Sequence, residues 1–137
     1  MSSGDSNSAI RSREKPHGLS RLINSFGNSW NGLAACWREE AAFRQECLLA
    51  GPAIAAGLWF GHSGVERALL IGPVFLILIV ELLNSAVEAT IDRIGPERHA
   101  LSGLAKDLGS AAVFMSFLFW AANWALLLLD QIGRAHV

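Results

Sequence analysis

No lysine, arginine, aspartate or glutamate occurs from Cys47 to Val65, from Ala68 to Val80, or from Leu108 to Leu129. A water-soluble core does not call for uncharged runs of that length and purity. A bilayer does, because an apolar helix takes about 20 residues to cross about 30 Å of hydrocarbon. Cysteine is equally scarce: the two present, Cys36 and Cys47, lie beside or inside the first uncharged run and lack metal-site spacing. They argue against a disulfide scaffold and against a zinc site, and are expected to be packing residues. Also missing are a GxxxxGK[ST] loop, a GxGxxG fingerprint, and HRD and DFG elements, so any ATP site is not one of the common soluble types. No short apolar segment with a small-residue cleavage site precedes the first run, which is therefore expected to direct insertion itself.

What is present is one domain's length, 137 residues, of which 52 % are apolar. Three transmembrane helices are predicted, at about 46–62, 67–91 and 107–129. The first carries Gly51, Pro52 and Gly57, and it extends back to about residue 38 because "EEAAFRQE" holds good helix formers and no breaker. Arg11, Arg13, Lys15, Arg21, Arg38 and Arg44 precede the first span, and Arg93, Arg98 and Lys106 lie between the second and third. The positive-inside bias then puts the N-terminus and the 93–106 loop in the cytoplasm, and the 62–66 loop and the C-terminus outside.

Residues 1–18 are polar, Ser-rich and punctuated by Pro16 and Gly18, the composition of a disordered tail. From 19 to 37 the pattern changes. Leu22, Ile23, Phe26, Trp30, Leu33 and Trp37 recur at spacings of three and four, which predicts an amphipathic helix in the membrane interface, with a break expected near Gly27 or Gly32. Gly95, Pro96 and Gly103 mark a short polar connection between the second and third spans. The terminal "IGRAHV", residues 132–137, reads as the translation of a common sequencing adapter and is set aside as a non-native scar.

The second span ends in "VELLNSAVEATIDRIG", residues 80–95. At 100° per residue, Glu81, Asn84, Glu88 and Asp92 fall at about 0, 300, 340 and 20°, in one narrow stripe. Carboxylates inside a span cost several kcal/mol and repel one another unless a cation, a lysine or a proton sits between them. Lys106 and Asp107 open the third span, while Glu39, Glu40, Arg44 and Glu46 open the first, so these groups gather at the cytoplasmic face. Carboxylates able to hold Mg²⁺, a nearby lysine and cytoplasmic access suit phosphoryl transfer, which depends above all on positioning and charge neutralisation. Residue chemistry alone leaves three options open: lipid-directed phosphoryl transfer, ion or proton translocation, and a structural membrane oligomer.

"EAAFRQE" at 40–46, "VELLNSAVEATIDRIG" at 80–95 and "HALSGLAKDLGSAAV" at 99–113 resemble the bacterial diacylglycerol kinases, small integral membrane lipid kinases, over about Arg21 to Leu129. The resemblance implies an all-α integral membrane protein, a homotrimer in which each chain has an N-terminal amphipathic interfacial helix (19–37) and three transmembrane helices (about 38–62, 67–91 and 107–129). Residues 19–131 would then form a single membrane kinase domain of the bacterial inner membrane, with active sites at the cytoplasmic boundary between neighbouring chains. It implies transfer of the γ-phosphate of ATP, with Mg²⁺, to 1,2-diacylglycerol, giving phosphatidic acid. Carried over by residue, Glu81 is the general base on the lipid hydroxyl and Asn84 its polar partner, while Glu40 and Glu88 are the Mg²⁺ ligands. Lys106 meets the ATP phosphates and Asp107 organises the nucleotide side. Arg21, Ser29, Glu46, Asp92 and Ser110 line or support the nucleotide and lipid pocket. The sequence departs from the family pattern at Asn28, Asn31 and Leu104, where Tyr, Lys and Arg are usual. The competing readings are an undecaprenol kinase, which shares the fold and much of "ELLNSAVE", and a proton or cation transporter.

Overall fold

The computed structural model describes residues 18–135, so nearly all of the expected tail and the last two residues lie outside it. Among the described residues all regular structure is helical: α1 (Leu19–Glu39), α2 (Ala41–Phe60), α3 (Gly64–Ile94) and α4 (Ala100–Ala135). The chain divides into two compact units between Gly32 and Leu33. In the first unit, Leu22, Ile23, Phe26 and Trp30 of the apolar stripe are exposed among the described residues. The break expected near Gly27 or Gly32 does not occur, and α1 runs through both glycines. A helical glycine costs only about 1 kcal/mol relative to alanine, too little to end a helix without a proline or a cap.

The junction with the next helix, expected at 37/38, falls at Glu40, whose extended backbone (φ −102°, ψ 112°) separates α1 from α2. Arg44 stabilises it from the first turn of α2: its Nη1 donates to the carbonyls of Trp37 at 2.9 Å and Arg38 at 3.0 Å. These are carbonyls that the end of α1 would otherwise leave without partners. At the other end of α2, Ser63 caps α3, its Oγ accepting from the Glu66 amide at 3.1 Å, while Glu66 Oε2 accepts from the His62 amide at 3.0 Å. This is a close variant of the reciprocal capping box. Helix α3 stops where Gly95 takes φ +151° and Pro96 follows, a conformation that residues with a Cβ rarely adopt.

Within the second unit α3 packs against both α2 and α4. Leu70, Val74 and Ile77 of α3 are buried together with Phe43 and Ala50 of α2. Buried Gly57 permits the close approach of α2 to α3: a Cβ there would stand 2.8 Å from Ile71 Cγ1 and 3.2 Å from Leu70 Cβ. Gly57→Ala is therefore expected to destabilise the bundle by about 1–3 kcal/mol through overpacking. Gly51→Ala, which meets no atom within 4 Å, serves as the control in thermal unfolding in detergent. Equal unfolding temperatures for the two variants would remove Gly57 from the packing account.

Two helices, Gly64–Ile94 and Ala100–Arg134, are long and apolar enough to cross a membrane. At 31 residues α3 is about 46 Å long, so its final turns can extend past about 30 Å of hydrocarbon. Helix α2 falls short of that measure because Arg44, Gln45 and Glu46 occupy its first two turns. Helix α4 leaves Leu108, Phe114, Met115, Leu126 and Leu129 exposed, a surface that water would penalise and hydrocarbon would not. It also continues through residues 132–135, where Arg134 meets Glu66 at 2.8 Å and Asp130 at 3.1 Å.

Candidate active site at the charged end of the helices

The stripe on α3 is graded. Glu81 is only 5 % exposed, Asn84 and Glu88 are half-buried, and Asp92 is exposed. A single helix face thus passes from a dry interior to solvent in three turns, so one end holds a desolvated carboxylate and the other reaches water. Glu81 lies within electrostatic range of Glu88 and Glu40, and Glu46 within range of Glu81. Residues from α2, the α1–α2 break and α3 therefore bring four carboxylates into one neighbourhood. Glu40 reaches it because the chain bends at that residue, and its side chain makes no capping hydrogen bond.

Asn84 Nδ2 donates to Glu88 Oε1 at 3.3 Å. Among the described residues its Oδ1 is buried without a hydrogen-bond partner, as is Oε2 of Glu46. Asn84 Oδ1 lies against α4 at Gly109, where any Cβ would overlap it. Lys106 Nζ meets Asp92 Oδ1 at 2.8 Å, tying the start of α4 to the end of α3. A second feature sits on that junction, a cavity of about 430 Å³ lined by Asp92, Glu97, Arg98, His99, Ser102 and Lys106. Cys36 approaches Ser85 Oγ at 3.6 Å, and burial pushes its thiol above the ordinary range, in keeping with a packing role.

The structure thus gathers Glu40, Glu46, Glu81, Asn84 and Glu88, and joins Asp92 to Lys106. Asp107 and Ser110 are exposed, and among the described residues no hydrogen bond or ion pair links either to the carboxylates. Arg21 and Ser29 belong to the other compact unit, both exposed, with Ser29 Oγ bonded back to the Ser25 carbonyl at 2.9 Å. Sequence reasoning passed over Gly109 and the group Glu97, Arg98 and His99. Gly109 carried a signal, standing inside the motif "AKDLGSAAV", but a missing side chain gives no chemical cue. The loop residues share no periodicity that would mark them.

No three His, Cys, Asp or Glu side chains converge as a ready-made metal cage among the described residues. Mg²⁺ does not need one, since it commonly takes one or two carboxylates and completes its shell with substrate phosphates and water. Glu40 and Glu88, both within electrostatic range of Glu81, are carboxylates of the kind such a cation takes.

The family model of prokaryotic diacylglycerol kinases matches residues 27–128. The chain belongs to the prokaryotic diacylglycerol kinase family. It is 47 % identical to the diacylglycerol kinase of Escherichia coli K12 over 116 residues, covering 85 % of this chain and 95 % of the relative. The Pseudomonas aeruginosa PAO1 diacylglycerol kinase is 50 % identical over 82 % of this chain and 91 % of its own. That of Haemophilus influenzae is 46 % identical over 83 % and 97 %. The family match spans α2 and α3 and most of α4, and so includes every carboxylate of the gathered group.

Proposed function

We propose that this chain is an ATP-dependent diacylglycerol kinase of the bacterial inner membrane, making phosphatidic acid at the cytoplasmic interface. The observation that carries the reading is the graded stripe: a buried Glu81 among carboxylates, leading within three turns to the Asp92–Lys106 pair and solvent. A lipid alcohol and a water-soluble nucleotide must meet at such a boundary. Glu81 takes the proton of the glycerol hydroxyl as its oxygen bonds to the γ-phosphorus. The bond from that phosphorus to the β–γ bridging oxygen breaks, and ADP leaves. Asn84 holds Glu88 and the acceptor in register. Glu40 and Glu88 hold Mg²⁺, which when bound neutralises phosphate charge.

Lys106 faces the phosphates and Asp107 the nucleotide side, with the α3–α4 cavity receiving the remainder of the nucleotide. Arg21, Ser29, Glu46, Asp92 and Ser110 support the two substrates. The exposed apolar stripe of α1 supports an interfacial helix, and α2, α3 and α4 make three spans with the N-terminus cytoplasmic and the C-terminus outside. Residues 19–131 form one membrane kinase domain. The exposed apolar face of α4 supports a homotrimer with sites between chains.

Transfer of labelled γ-phosphate from ATP with Mg²⁺ to short-chain diacylglycerol in mixed micelles tests the reading, with undecaprenol presented in parallel. Labelled phosphatidic acid that disappears with EDTA and returns with excess Mg²⁺ is the expected result. A clear preference for the polyprenol would replace the substrate, and ion flux into liposomes without ATP consumption would replace the activity.

A further inference from the structure

Glu40 serves two helices at once. Its amide donates to the Cys36 carbonyl at 2.8 Å, closing the last turn of α1, and its carbonyl accepts from the Arg44 amide at 3.3 Å, opening the first turn of α2. An unbroken helix would pair the carbonyls of Trp37 and Arg38 with the amides of Ala41 and Ala42, four residues on. The extended backbone at Glu40 turns those amides away. The Arg44 side chain meets the two carbonyls instead, with Nη1 donating to both, at 2.9 and 3.0 Å. A cation there also suits the negative end of the α1 dipole.

This set of bonds exists only with the bend, because in a straight helix the two carbonyls would already be taken. Arg44 starts on α2 and ends on α1, so its side chain spans the bend and fixes it. An arginine serving only as an interface anchor would extend its charge towards headgroups and water, not fold back on the backbone. The bend in turn directs Glu40, whose side chain makes no capping hydrogen bond and lies within electrostatic range of Glu81 and Cys36. We propose that Arg44 is a positioning residue that bridges the bend, holds Glu40 beside Glu81 and so sets the cation affinity of the site. The proposal rests on the reading of Glu40 as a cation ligand and adds to it what keeps that ligand in place.

The test titrates wild type, Arg44→Met, Arg44→Lys, Glu40→Gln and the double variant Glu40→Gln with Arg44→Met with Mn²⁺ in detergent, in the presence of a non-hydrolysable ATP analogue. Bound ion is read from the loss of the free-ion EPR signal, and the apparent Mg²⁺ constant for turnover is measured on the same samples. Arg44→Met should weaken Mn²⁺ binding by about tenfold, as losing a residue that orients a metal ligand commonly does. The apparent Mg²⁺ constant should rise by the same factor while KM for diacylglycerol holds. Arg44→Lys should recover most of the affinity, because both bonds come from one nitrogen and a lysine ammonium carries three donors. In the Glu40→Gln background, Arg44→Met should add little. Should Arg44→Met not assemble, Arg44→Gln, two bonds shorter, takes its place in both backgrounds. Wild-type Mn²⁺ affinity in Arg44→Met, even with a lower unfolding temperature, would overturn the proposal and leave Arg44 a purely structural residue. Equal weakening in both backgrounds would overturn it too, since Arg44 would then act independently of Glu40. Wild-type Mn²⁺ affinity in Glu40→Gln would overturn the ligand reading of Glu40 itself.

Discussion

Glu81→Gln is expected to lower lipid phosphorylation by about 10²–10⁴-fold, the usual contribution of a positioned acid or base. The substitution keeps the size of the side chain and removes its ability to take a proton. Because Glu81 is buried and grouped with Glu40, Glu46 and Glu88, the change also lowers local negative charge. Folding should therefore be unharmed or improved, since one carboxylate of a crowded set is gone. That combination separates chemistry from structure: initial rate and thermal unfolding in detergent are read on the same sample. A rate within a few-fold of wild type would remove Glu81 from the role of base, whatever its position. A loss of rate accompanied by a matching loss of stability would make it a packing residue.

Gly109→Ala is expected to cost about 10²-fold in kcat, the scale of effect that a displacement of about 1 Å can have on a reacting geometry. The side chain of Asn84 occupies the space that a Cβ at 109 needs, and its Oδ1 is the atom in the way. Either the Asn84 amide turns, breaking its 3.3 Å hydrogen bond to Glu88, or α4 withdraws and takes Lys106 with it. Both outcomes disturb the site without altering any group that does chemistry. Gly72→Ala, at a position with no atom within 4 Å, should leave the rate unchanged. The double variant Asn84→Ala with Gly109→Ala distinguishes the two routes. If Gly109 acts through Asn84, adding its substitution to Asn84→Ala changes little; additive losses would mean that the helix moves.

The apolar periodicity that predicts α1, and the uncharged runs that predict the helices around 67–91 and 107–129, correspond to α1, α3 and α4 in the structure. The extents differ, because a run of apolar residues reports the part of a helix that lies in hydrocarbon and not the helix itself. Thus α3 reaches from Gly64 to Ile94, set by the Ser63 cap at one end and by Gly95 and Pro96 at the other. Those caps are local and legible. The bend at Glu40 lies within three residues of the expected boundary between the interfacial helix (19–37) and the first span (about 38–62), although nothing in "REEAAF" breaks a helix; Arg44 folding back on the carbonyls of Trp37 and Arg38 accompanies it.

For the site the division is similar. The alignment of Glu81, Asn84, Glu88 and Asp92 on one face follows from helical geometry and needed only the sequence. That Glu81 is buried while Asp92 is exposed was decided by tertiary packing, since α2 and α4 flank α3 and only the last turns of the stripe emerge. Packing also decided that Glu40 and Glu46, some 40 residues earlier in the chain, share the neighbourhood of Glu81, and that Asn84 leans on a glycine of α4. Periodicity within one helix is carried by its own backbone and can be read residue by residue. Contact between helices depends on where side chains are small enough to let backbones approach, and that is settled only when the helices meet.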